Sequence, residues 1–103
     1  MSQIQQVAVI GLGTMGHGIA QTFAMAGCAV TGFDDVKAAG DSVHDRVRQN
    51  LRDFVGAELF PADQVDAVLK RIVVCPTEAD AVRDAQFVTE AVREELVAKQ
   101  ELF

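Results

Sequence analysis

Between Val7 and Phe33 the chain carries no Asp, Glu, Lys or Arg, and six glycines (11, 13, 16, 18, 27 and 32) divide that stretch. A run without charge belongs in a protein core or in lipid. Its helical piece, Met15–Ala26, is well short of the ~20 residues that a membrane span requires. The start, Met1-Ser2-Gln3, lacks the basic residues that open a signal peptide. The run therefore reads as protein interior, and its order is specific. Val7-Ala8-Val9-Ile10 is short, apolar and partly β-branched, as suits a central parallel strand covered on both faces. Met15, Ile19 and Phe23 follow at helical spacing, with Gly27 placed as a C-terminal stop. Ala29–Phe33 reads as a second strand, closed by Asp34-Asp35.

Strand and helix are joined by Gly11-Leu12-Gly13-Thr14-Met15-Gly16, a G-x-G-x-x-G sequence. Alone, such a triplet is weak evidence. Here it stands between an apolar strand and an amphipathic helix, with a second strand and an acid beyond, which is the setting of a dinucleotide-binding loop. In that setting Gly11 turns the chain out of the strand, Gly13 lets a pyrophosphate approach the backbone, and Gly16 lets helix and strand pack closely. The N–H groups of residues 14–16, at the positive end of the helix, face the phosphates. Gly11, Leu12, Gly13, Thr14, Met15 and Gly16 are the candidate cofactor contacts, against the alternative of a strand-to-helix turn with no ligand. Asp34, at the end of the second strand, is placed to accept hydrogen bonds from the adenosine ribose. Its charge repels a 2′-phosphate and no arginine follows within the next ten residues, so NAD is favoured over NADP. Asp34 could instead serve a turn or cap the next helix, a part Asp35 could also take.

The rest of the chain repeats the alternation. Val36, Ala39, Val43, Val47, Leu51, Phe54, Val55 and Leu59 mark the apolar face of a long helix ended by Pro61. Asp45, Arg46, Arg48, Gln49 and Arg52 fill its polar face, and His44 reads as solvated there. A short helix through Val65, Val68 and Leu69, a third strand Ile72–Cys75, a helical turn near Ala79–Arg83, a fourth strand Gln86–Glu90 and a helix from Glu94 complete the order. Such alternation implies βαβ units in an α/β Rossmann-type doubly wound parallel sheet. That sheet ordinarily has about six strands; four are visible, so the chain reads as one domain, residues 1–103, truncated before the sheet is complete.

Composition excludes several classes. With half its residues hydrophobic the chain can form a core. A net charge of -6 and the lack of a basic cluster argue against nucleic acid. Cys28 and Cys75 have no metal-ligand spacing and read as reduced core cysteines of a cytoplasmic protein; no metal ligands are assigned. His17 lies where the helix meets phosphate rather than reacting carbon, so it is not read as catalytic.

With these residues in view, the chain resembles the N-terminal domain of the 3-hydroxyacyl-CoA dehydrogenases, including 3-hydroxybutyryl-CoA dehydrogenases, over essentially its whole length. The likeness rests on Val7 through Gln21 and on Thr89-Glu90-Ala91-Val92-Arg93-Glu94, continuing to Lys99 and Glu101-Leu102-Phe103. It implies NAD-dependent oxidation of a 3-hydroxyacyl-CoA to a 3-ketoacyl-CoA in fatty-acid metabolism, including β-oxidation. It adds Glu94 and Lys99 as contacts near the nicotinamide ribose, where the residues alone suggest a helix N-terminus and a surface ion pair of Glu95 with Lys99. Asn50 stands where some members hold CoA through a serine, so no CoA residue is carried over. The family's catalytic histidine and glutamate fall beyond Phe103. Hence no catalytic residue is assigned, this chain alone is expected to be inactive, and homodimerisation is expected through a C-terminal helical domain outside it. Free 3-hydroxyacid or sugar-acid dehydrogenases share a similar glycine loop but lack the Glu94-to-Lys99 pattern. A non-catalytic nucleotide-binding protein on the same fold is the other alternative.

Overall fold

The computed structural model of the chain describes residues 5–91. Within them β1 (Gln6–Ile10), α1 (Thr14–Met25), β2 (Ala29–Phe33), α2 (Lys37–Gly56), a 3-10 turn (Ala62–Gln64), α3 (Val65–Lys70), β3 (Ile72–Val74), α4 (Glu78–Val82) and β4 (Phe87–Glu90) follow in order. The four strands form one parallel sheet in the order β3-β2-β1-β4. β1 is central, and Val7, Ala8 and Val9 are completely buried, which is why this strand needs no polar residue on either face. The chain winds outward from β1 through β2 to β3, then returns to place β4 on the other side of β1. That reversal opens a crevice at the carboxyl ends of β1 and β4, the place where open α/β sheets take their ligands. The four strands are those expected from the sequence, and the expected helix from Glu94 lies outside the described residues.

Packing departs from the expected stripes at three positions. On α1 the buried residues are Gly16, Ala20, Gln21 and Ala24, while Ile19 and Phe23 pack at the core's edge and Met15 is 63% exposed. Small residues win the inner face because the helix must lie close to the sheet. On α2 the buried stripe is Gly40, Val43, Val47 and Leu51, whereas Val36 and Leu59 are exposed. Leu59 is lost from the stripe because α2 stops at Gly56 rather than reaching Pro61. There Glu58 takes a left-handed conformation (φ 61°), its N–H donating to Val55 O at 3.0 Å and that of Leu59 to Phe54 O at 2.8 Å. The same pair of bonds ends α1, where Gly27 holds the left-handed position.

A left-handed residue with a side chain costs about 1–2 kcal/mol, of which glycine's greater unfolded-state freedom returns about 0.5–1 kcal/mol. Glu58→Gly is therefore expected to stabilise the chain by about 0.5–1 kcal/mol. Urea denaturation with an unchanged slope and a raised midpoint is the expected result; an unchanged or lower midpoint would contradict it.

Candidate functional site

The glycine loop leaves β1 through Gly11, whose φ of +94° suits a residue without a side chain. A Cβ there would also stand 2.5 Å from the Ala91 carbonyl oxygen. Gly16 is more tightly constrained: its Cβ would lie 1.7 Å from Gly11 O, so the first turn of α1 rests directly on the end of β1. Gly13 is different. A Cβ on it would meet nothing within 4 Å, so the space beside its backbone is open. Gly13 is also the N-cap of α1, with no side-chain cap and no acidic residue in the first turn. The helix thus presents its positive end to that space with no carboxylate from its own first turn to neutralise it.

Asp34 lies against this loop. The Leu12 N–H donates to its Oδ2 at 2.7 Å, and the Val36 N–H donates to Oδ1 at 2.7 Å. Leu12's own side chain is fully buried and covers Gly32 of β2, so it plugs the loop into the core. Thr14 and Met15 are exposed beside Gly13. The N-cap position of α2 is taken by Val36, whose own side chain makes no capping bond. These two bonds orient the Asp34 carboxylate at the mouth of the loop.

Beyond Asp34 a groove of about 920 Å³ runs past the carboxyl ends of β2 and β3, walled in part by Phe33, His44, Ile72, Val74 and Pro76. It is roomy enough to admit an adenosine. Asp34, Asp35 and Asp41 also border it, with Lys37 the basic residue among them, held by Asp41 at 2.9 Å. The wall is therefore net negative, which disfavours a phosphate on the ribose. His44 is not on a solvated face: it is half-buried, its Nε2 donating to Ile72 O at 2.6 Å. Cys75 completes the wall; burial, reinforced by the Asp80 carboxylate against a smaller pull from Arg83, pushes its thiol above the ordinary range.

Sequence reasoning missed Arg46. It is half-buried rather than solvated, and its guanidinium turns from α2 onto the glycine loop. The signal was present: Ser42, Arg46 and Asn50 form a four-residue stripe beside the buried Val43, Val47 and Leu51. Asn50 donates to Gln21 Oε1 at 2.9 Å, joining α2 to α1. Glu94 and Lys99 lie outside the described residues. Among the described residues no group of three or more His, Cys, Asp or Glu is placed to hold a metal, and no helix is long and apolar enough to cross a membrane.

Two glycine substitutions separate fold from ligand. Gly16→Ala forces a methyl into the Gly11 carbonyl and is expected to destabilise by about 3 kcal/mol or more, because backbone cannot yield as a side chain can. Gly13→Val enters open space, so its stability should stay within about 1 kcal/mol of the unsubstituted chain. Urea denaturation of both checks this, and equal losses would contradict the geometry.

Comparisons with known proteins identify the family. Residues 6–103 match the family model of the 3-hydroxyacyl-CoA dehydrogenase NAD-binding domain. A 3-hydroxybutyryl-CoA dehydrogenase of Mycobacterium tuberculosis is 35% identical over 100 residues, covering 97% of this chain and 35% of the relative. The crystal structure of 3-hydroxybutyryl-CoA dehydrogenase from Escherichia coli superposes with a TM-score of 0.81 at 34% identity, covering 99% of this chain and 21% of that one. The (S)-3-hydroxybutyryl-CoA dehydrogenase of Ralstonia eutropha gives a TM-score of 0.81 at 30% identity, over 97% of this chain and 35% of that one. The chain thus spans about a third of the length of the curated relatives it matches.

Proposed function

Because the chain belongs to the family of 3-hydroxyacyl-CoA dehydrogenase NAD-binding domains, we propose that it supplies the NAD site for oxidising the 3-hydroxyl of an acyl-CoA to a ketone. The observation that carries the proposal is the junction of loop and acid. The open backbone at Gly13 and the uncapped start of α1 receive the pyrophosphate, while Asp34, held at 2.7 Å by Leu12 N–H, accepts from the adenosine ribose. The adenine lies in the groove beyond Asp34. Gly11 and Gly16 shape the loop, Leu12 anchors it, and Thr14 and Met15 flank the phosphates. Glu94 and Lys99 approach the nicotinamide ribose. NAD, when bound, supplies the hydride acceptor.

Residues 1–103 act as the NAD-binding domain, and the hydroxyl's proton is taken by a base outside them. That division assigns this chain binding without turnover, since positioning substrate, nicotinamide and base together can supply about 7–11 kcal/mol of barrier reduction. The setting is fatty-acid metabolism, including β-oxidation, in the cytoplasm. A homodimer forms through a helical domain distinct from the one described.

Isothermal titration with NADH and NADPH tests the site. NADH is expected to bind and NADPH far more weakly. Asp34→Asn, which keeps an acceptor for Leu12 but loses the charge, should weaken NADH by roughly 1.5–3 kcal/mol and narrow the preference. Gly13→Val should abolish binding while staying folded. Equal affinities for both cofactors would remove the ribose assignment, and normal binding by Gly13→Val would remove the pyrophosphate from the loop.

A further inference from the structure

Arg46 lies 33 residues from Gly13 and 34 from Leu12 in sequence and yet makes most of its bonds around the loop. Its Nη2 donates to Leu12 O at 2.6 Å and to Ala39 O at 2.8 Å. Nη1 donates to Gly13 O at 3.1 Å and stands 2.9 Å from His17 Nδ1, which itself lies 2.9 Å from Gly13 O and donates to it in the tautomer protonated on Nδ1. Nε donates to Ser42 Oγ at 3.1 Å. Four of the guanidinium's five N–H donors go to Ser42, Gly13, Leu12 and Ala39 whichever tautomer His17 takes, so what Arg46 contributes passes mainly through the loop.

The route is peptide geometry. In a trans peptide the carbonyl of one residue and the N–H of the next point to opposite sides, and the described chain has no cis bond. Drawing Leu12 O toward α2 therefore turns the Gly13 N–H away from α2. Gly13 O is already fixed by the first helical bond, from His17 N–H at 3.0 Å. Leu12 O takes no part in the helix, and Arg46 is what holds it. With Leu12 N–H on Asp34 and Leu12 O on Arg46, both backbone groups of one residue are pinned, and the Gly13 N–H, which has no acceptor among the described residues, is turned away from α2. We propose that Arg46 is a positioning residue of the nucleotide site, which presents the Gly13 N–H to the pyrophosphate by holding the Leu12 carbonyl from behind. This rests on the reading of the loop as a pyrophosphate site and adds a specificity for phosphate over nucleoside that Asp34 does not provide.

The test titrates ADP and adenosine against the full 103-residue chain, Arg46→Met and Arg46→Lys, following the backbone amide signals by NMR. ADP should bind Arg46→Met about tenfold or more weakly, the scale of one charge-assisted hydrogen bond, and its shift of the Gly13 amide should shrink. Adenosine affinity should change by less than about twofold, since the groove beyond Asp34 is untouched. Arg46→Lys should resemble Arg46→Met, because an ammonium cannot reproduce the fork. Unchanged ADP affinity in Arg46→Met would overturn the proposal. So would full retention by Arg46→Lys, which would make the residue a simple charge, or parallel loss of ADP and adenosine, which would make it merely structural. Failure of the unsubstituted chain to bind ADP would overturn the underlying nucleotide-site reading itself.

Discussion

The first turn of α1 rests on the carbonyl of Gly11, with no room at Gly16 for even a methyl group. This close approach fixes where the helix begins and the angle at which it leaves the sheet. Small residues then continue along the inner face at Ala20 and Ala24, so the helix lies flat on the strands it covers. Larger residues there would lift α1 away from the sheet. The open space at Gly13 and the start of the helix would then no longer share one crevice.

From that contact the site is built by bonds to backbone rather than between side chains. Asp34 and Arg46, of opposite charge and from opposite sides, hold the N–H and the carbonyl of Leu12. Leu12's buried side chain fixes the same residue from below. A bond to an ionised group contributes about 1.5–3 kcal/mol, enough to hold a short loop against the entropy of its few residues. A rigid loop matters because a site that must be ordered on binding loses affinity to that ordering. The chain is acidic overall, at -6, yet the first turn of α1 carries no acid, so the local field at the loop is set by the helix end and by the Asp34 and Arg46 charges beside it rather than by net charge.

The strands, their order of appearance and the loop were legible in the sequence because each is a local signal: a β-branched run stopped by glycine, then helical spacing. The position of Asp34 was legible because it closes a strand. Less local features were not. Arg46 reads as a surface residue on a helix until the loop to which it reaches is placed beside it. His44 reads the same way until β3 offers its Ile72 carbonyl. The end of α2 was read from Pro61, the visible breaker, while the helix stops earlier through a left-handed Glu58, a residue type with no preference for that role. Met15 fits the helical spacing but falls outside the buried face, because the close contact at Gly16 rotates that face toward glycine and alanine.

The claim at the centre of this account is that Asp34 reads the adenosine ribose while the loop holds it in place. The direct measurement is a cycle of four dissociation constants, for NADH and its 2′-deoxyadenosine analogue against the unsubstituted chain and Asp34→Ala. The account predicts that removing the 2′-hydroxyl weakens binding to the unsubstituted chain by about tenfold or more and has almost no further effect once Asp34 is gone. An equal deficit in both proteins would mean that the hydroxyl is bound elsewhere, and would contradict it.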